Sequence, residues 1–198
     1  MTTGWGNLAK TWDANTGEEL LTYTGHLGEP ELKFAGQTAL SGGGWSPDGS
    51  RILTSGYSIQ VWDANTGKQI TKIIPTTDLY IYARWSPDGK RLASCAPPEV
   101  LQIWDADTGA AILGGYVHNT AEYNFGDAID NCMGVEWSPD GKHVLTTNVY
   151  GSRATIWDAQ TGHKILIFKG HPGALLIPAW SPNGMRVATG DTTGGVKV

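Results

Sequence analysis

The sequence predicts an all-β repeat protein, built of small antiparallel sheets of about four strands that stack on one another. Three observations predict it. Two short motifs alternate along the 198 residues. The first is WDANTG at 12–17 and 62–67, WDADTG at 104–109 and WDAQTG at 157–162. The second is WSPDG at 45–49, 85–89 and 137–141, then WSPNG at 180–184. The first recurs at spacings of 50, 42 and 53 residues and the second at 40, 52 and 43, the period of a repeat array. Short runs of β-type residues lie between the motifs, and no segment reads as a helix longer than two turns.

Each element has a local reason. In Ser-Pro-Asp-Gly, proline presets φ for a tight turn, aspartate bonds nearby backbone, and glycine takes the left-handed position. Asp-Ala-Asn-Thr-Gly is a second reversal that also closes on glycine. In chain order the strand runs are Arg51–Ser55, Ile59–Trp62, Arg91–Ser94, Leu101–Trp104, His143–Thr147, Ala154–Trp157, Lys164–Phe168 and Arg186–Thr189. Most alternate in polarity or are rich in β-branched residues. A sheet this small cannot bury its apolar surface alone and must stack on its neighbours.

Composition narrows the class. Fourteen Lys and Arg against nineteen Asp and Glu give a net charge of −5, which argues against a polybasic nucleic-acid or membrane surface. Glycine supplies 27 residues, about twice its usual share. No apolar run reaches the ~18 residues of a membrane span. The opening MTTGWGNLAK lacks the apolar stretch of a signal peptide, so a cytoplasmic location is the expectation. Cys95 and Cys132 are too few for a disulfide scaffold and lack CxxC spacing; they read as small buried residues.

The order of strand, SPDG turn, strand, loop, strand ending in Trp-Asp, and xxTG turn resembles the WD-repeat β-propeller family. Gly25-His26 and Gly170-His171 stand where that family carries Gly-His before a blade. The resemblance covers essentially the whole chain and implies four-stranded antiparallel blades, about four to five in number. It implies a partial blade at 1–25, blades at about 38–73, 79–116 and 131–169, and a last incomplete blade at 174–198. It makes Trp12, Trp62, Trp104, Trp157, Trp45, Trp85, Trp137, Trp180, His26 and His171 structural residues. The family closes rings of six to eight blades, more than this chain holds. Three readings stay open: a segment of a larger propeller, a ring completed between copies through open blade edges, or a closed four-bladed monomer. The family's buried His–Ser/Thr–Asp–Trp network places its aspartate six residues before the strand-three tryptophan. Gly6, Gly56, Pro98, Gly151 and Thr193 occupy those places here, so His26 and His171 lack their usual partner. Apolar packing, or other groups such as Asp191, then takes over.

The resemblance puts both motif turns on one rim and the variable connections on the other, the top. Loops on a rigid scaffold are where binding specificity is placed. The two long connections, Leu27–Thr38 and Gly115–Asn131, are the candidate contact surfaces. The second gathers Tyr116, His118, Glu122, Tyr123, Phe125, Asp127 and Asp130, and Tyr57, Tyr80 and Tyr150 belong to neighbouring top positions. Aromatics among acids suit a basic protein or peptide, because aromatics anchor and charges steer.

Catalytic chemistry leaves no matching signature. There is no P-loop, G-x-S-x-G elbow, H-E-x-x-H or zinc pair. Asp13-x-Asn15-x-Gly17 lacks the distal glutamate of a calcium loop, and the repeated turn explains it. His143 and His163 begin strands beside the turns and read as solvated surface residues. No cofactor or metal is expected. The sequence therefore points to a non-catalytic scaffold for a protein or peptide partner, with no nucleic-acid or membrane role. A self-assembling blade array is the alternative, and a propeller hydrolase the remote one.

Overall fold

The computed structural model describes residues 1–4, 7–27, 29, 40, 42–74, 81–96, 100–113, 132–148 and 152–198. They form five antiparallel sheets, each made of consecutive strands in sequence order. The first is β1 (Thr2–Gly4), β2 (Leu8–Trp12) and β3 (Glu19–Tyr23). The second is β4 (Gly42–Trp45), β5 (Arg51–Ser55), β6 (Ile59–Asp63) and β7 (Gln69–Ile73). The third is β8 (Tyr82–Trp85), β9 (Arg91–Ala96), β10 (Val100–Asp105) and β11 (Ala111–Leu113). The fourth is β12 (Cys132–Trp137), β13 (His143–Asn148), β14 (Ala154–Asp158) and β15 (Lys164–Phe168). The fifth is β16 (Leu175–Trp180), β17 (Val187–Asp191) and β18 (Val196–Lys197). These last strands make a sheet of their own and do not complete the sheet of β1–β3, as a closed four-bladed ring would require.

The repeated turns fold by repeated chemistry. The glycines that end the SPDG and SPNG turns, Gly49, Gly89, Gly141 and Gly184, have φ of 72°, 68°, 68° and 69°. Only glycine adopts that conformation without a steric cost. In the other turn, Asp63 Oδ1 accepts from the backbone N–H groups of Asn65 and Thr66 at 3.0 and 2.8 Å, and from Thr66 Oγ1 at 2.8 Å. Asp105 and Asp158 repeat all three bonds, and Asp13 the two to backbone. Backbone donors hold the Asp13 and Asp158 carboxyls below their ordinary value, and the Thr108 hydroxyl does so first for Asp105. Each of these turns also shifts the register immediately before its tryptophan, between Thr11 and Trp12, Val61 and Trp62, Ile103 and Trp104, and Ile156 and Trp157. Such a bulge re-aims the side chain that follows it.

Stacking explains how sheets this small bury their surface. First strands pack on first strands, β4 on β8, β8 on β12 and β12 on β16. The second strands of the three middle sheets, β5, β9 and β13, are buried on both faces, so successive residues serve two different cores. Ile52 packs with Ala9 and Tyr23 of the first sheet, whereas Leu53 packs with Ala83, Trp85 and Leu92 of the third. Val144 likewise packs against Ile103 and Leu113, and Leu145 against Leu175 of the fifth sheet. Each such aliphatic side chain contributes about 1.5–3 kcal/mol by leaving water. The fold is an all-β propeller array of antiparallel blades.

Two sequence expectations need correction. Cys95, at the far end of β9, and Cys132, at the start of β12, are buried but form a disulfide between the third and fourth sheets, with Cα atoms 5.9 Å apart. They lie 37 residues apart in sequence, so only the stacking of sheets brings them together. His143 is not simply a solvated strand start, because its ring stacks on Trp180 at 6.4 Å between centroids.

Candidate functional site

The strand register separates two rims. In the second sheet the SPDG turn closes at Trp45 opposite Ile52, and the WDANTG turn closes at Trp62 opposite Gln69. The β5–β6 connection closes at Ser55 opposite Ile59, at the other end of the same strands. The motif turns therefore share one rim, and the connections between repeats share the opposite one.

Among the sequence-chosen contact residues, Tyr57 lies in the β5–β6 connection on that second rim and is half-buried. Tyr80, Tyr116, His118, Glu122, Tyr123, Phe125, Asp127, Asp130 and Tyr150 lie outside the described residues.

The described part of this rim holds a polar cluster that sequence reasoning missed. His26 is buried, with Nε2 at 2.8 Å from Thr54 Oγ1 and Nδ1 at 2.8 Å from Glu29 Oε2. Trp62 Nε1 donates to the same Thr54 hydroxyl at 2.8 Å. Donor and acceptor capacity gives the chain a direction: the indole donates to Thr54, Thr54 donates to His26 Nε2, and His26 Nδ1–H donates to Glu29. Glu29 also accepts from Ser58 at 2.6 Å, from Gln60 at 3.0 Å and from Lys72 at 2.8 Å. Burial alone would push the Glu29 carboxyl up, but the bonds from His26, Lys72 and Ser58 hold it down at about 2. So His26 does have a carboxylate partner, supplied from the connection itself. The only sequence signal was the three-residue spacing in Gly25-His26-Leu27-Gly28-Glu29.

Gly25 is required at this junction by space. A Cβ there would come within 2.2 Å of the Trp62 ring.

The fifth sheet solves the same problem differently. His171 Nε2 meets Thr189 Oγ1 at 2.8 Å, and Nδ1 meets Asp191 Oδ2 at 2.7 Å. Asp191 stands at the end of β17, two positions from the place the resemblance assigns, and its carboxyl is lowered by Thr193 first and then by His171. The tryptophan half of the network recurs where no such histidine is described: Trp12 donates to Thr2 at 2.8 Å, Trp104 to Ser94 at 2.9 Å and Trp157 to Thr146 at 2.8 Å. Both nitrogens of His26 and of His171 are engaged, which suits a structural role better than proton transfer. Of the other tryptophans, Trp85 and Trp137 are buried, while Trp12 and Trp45 are 40% and 45% exposed, so the eight are not a uniform buried set. Among the described residues, no group of three or more His, Cys, Asp or Glu could hold a metal ion.

These features define a class: stacked antiparallel blades, four of the five with a strand-three tryptophan bonded to a strand-two hydroxyl, joined by WDxxTG and SPDG turns. No family model matches the sequence. Curated relatives do. Autophagy-related protein 16 of Arabidopsis thaliana is 27% identical over 192 residues, covering 96% of this chain and 33% of its own length. A WD repeat-containing protein WDS homolog of Arabidopsis thaliana is 30% identical over 90 residues, 45% of this chain and 16% of its own. In a crystal structure of a mitotic checkpoint complex, one chain superposes with a TM-score of 0.77 at 19% identity, over 98% of this chain and 58% of its own; that likeness shows the fold. In sequence and in fold the chain is similar to WD-repeat proteins. It spans a third or less of the length of these two curated relatives.

Proposed function

We propose that this array is a rigid, non-catalytic scaffold that displays its top-rim connections to a protein or peptide partner. The observation that carries the reading is the uniformity of the opposite rim. All eight motif turns there close on the same left-handed glycine, so they offer a partner little to distinguish one repeat from the next. The top connections vary in length and chemistry, and those at Leu27–Thr38 and Gly115–Asn131 are the longest on the sequence. Tyr116, Tyr123 and Phe125 anchor the partner in this reading, with Tyr57, Tyr80, Tyr150 and His118 beside them. Glu122, Asp127 and Asp130 favour a basic one. A cytoplasmic signalling role fits the scaffold reading. In a reducing cytoplasm Cys95 and Cys132 would stand as a dithiol, because disulfides persist in oxidising compartments.

The test is the double variant Tyr123→Ala with Phe125→Ala. It should weaken capture of a partner from extracts of the source cell while the melting temperature stays unchanged. Unfolding of that variant would reassign both residues to packing. Loss of capture at high salt tests the basic partner separately.

Association between copies is a second reading, favoured by apolar surface at the fourth and fifth sheets. Ile165, Leu166, Met185, Val196 and Val198 are all exposed there, beside a cleft of about 630 Å³. Native mass across a range of concentrations decides it: a discrete species near twice 21.2 kDa supports pairing, and a constant monomer removes it.

A further inference from the structure

The sixth residue after each WSPDG or WSPNG tryptophan is Arg51, Arg91, His143 and Arg186. In two joints between sheets this residue clamps the next repeat. The Arg51 guanidinium lies 4.8 Å over the Trp85 ring and donates to the Gly89 carbonyl. The Arg91 guanidinium lies 4.7 Å over the Trp137 ring and donates to the Gly141 carbonyl at 3.0 Å. Each clamped tryptophan also bonds backward, Trp85 Nε1 to Gly44 O and Trp137 Nε1 to Arg84 O, both at 3.2 Å.

The joint between the fourth and fifth sheets departs from this pattern at the same three points. His143 stands where arginine stands elsewhere. Its ring stacks on Trp180 at 6.4 Å and 26°, and no bond joins it to the Gly184 carbonyl, the counterpart of Gly89 and Gly141. Trp180 Nε1 is buried and finds no partner among the described residues. The cleft of about 630 Å³ opens at this joint, with His143, Trp180, Gly184 and Arg186 in its lining.

We infer that the joint between the fourth and fifth sheets is the compliant one in the array and that protonation of His143 tightens it. A neutral imidazole on an indole face gains only stacking and dispersion. An imidazolium drawn in from 6.4 Å to within the ~6 Å reach of a cation–π contact gains the attraction that Arg51 and Arg91 supply at every pH. Histidine is the side chain whose charge changes between pH 5 and 8. The groups around His143 divide in sign. Asp158 lies opposite it in the β13–β14 ladder and Asp140 sits in its own turn; both favour the cation. Lys142 in the same turn and Arg186 across the cleft oppose it, while β15 contributes Ile165, Leu166 and Phe168 to the cleft and holds its one cation, Lys164, over the Trp157 ring.

Amide hydrogen exchange of the whole chain, corrected for intrinsic rates, tests this at pH 5.5 and 8.0. Peptides from β16 and β17 should be about two- to fivefold better protected at pH 5.5, the factor a cation–π contact gives, with β8 and β9 as the internal reference. His143→Arg should hold the high protection at both values, and it keeps the residue that three other repeats carry. His143→Gln should show the low protection at both. Equal protection at the two pH values in the wild-type chain overturns the inference. A pH response that survives in His143→Arg also overturns it, and assigns the effect to the His171–Asp191 pair in the same sheet.

Discussion

At the scale of single residues, stability concentrates where an aromatic ring and a polar relay coincide. Trp62 is 4% exposed, packs edge-on against Tyr23 and bonds Thr54. Trp62→Ala should cost about 3–5 kcal/mol, read from denaturant unfolding, because it removes a large buried ring and leaves a cavity. An unchanged midpoint would show that the blades do not depend on this contact. Glu29→Gln should cost about 1–3 kcal/mol by leaving the relay partly unsatisfied. The sign of its pH dependence follows from a carboxyl lowered from 4.5 to about 2. The lowered value makes the contribution fully present above pH 4.5 and progressively lost as pH falls toward 2. The stability gap between wild type and variant should therefore be flat from pH 8 to 5 and close in acid. A gap that stays constant down to pH 2.5 would remove Glu29 from the relay.

At the scale of elements, two glycines separate conformational cost from steric cost. Gly49 has φ of 72°, and a Cβ added there would meet nothing within 4 Å, so Gly49→Ala meets only the left-handed penalty, about 1–2 kcal/mol. Gly25 has no such φ, but a Cβ there would collide with the Trp62 ring at 2.2 Å. Gly25→Ala should therefore disturb Trp62 itself, visible as a shift in tryptophan fluorescence that Gly49→Ala does not produce. The strands flanking these turns were legible one by one: Arg51–Ser55 and Lys164–Phe168 form with the bounds their residues suggest. Arg91–Ser94 extends to Ala96 and Ala154–Trp157 to Asp158, since ladder partners lengthen a strand beyond its β-branched run.

At the scale of the whole molecule, each sheet is stable because its neighbours cover it, and one covalent link adds to that stacking. The Cys95–Cys132 bond ties the third sheet to the fourth. Thiol titration under denaturing conditions should find none before reduction and two after. Cys132→Ser should lower stability by about 2–4 kcal/mol relative to the oxidised chain, as loss of a cross-link over a long loop does. Two free thiols that persist after exposure of the folded chain to a mild oxidant would remove the link. Arg51, Arg91 and His143 each cross one joint beside its apolar core, so a change at one of them is felt next door rather than throughout.

The sequence by itself determined the repeat, its turns and the all-β class, because Ser-Pro-Asp-Gly and Trp-Asp-x-x-Thr-Gly encode their conformations within six residues. It also marked His26 and His171 as structural, though it left His26 without a partner. Only the tertiary structure decided what those residues meet. Glu29 reaches His26 from the connection, Asp191 reaches His171 from two positions away, and Cys95 meets Cys132 across two sheets. The reason is physical: turn and strand preferences are set by neighbours in sequence. Which carboxylate faces a buried imidazole, and which sulfur faces another, is set by how one sheet rotates onto the next, and no local pattern carries that rotation.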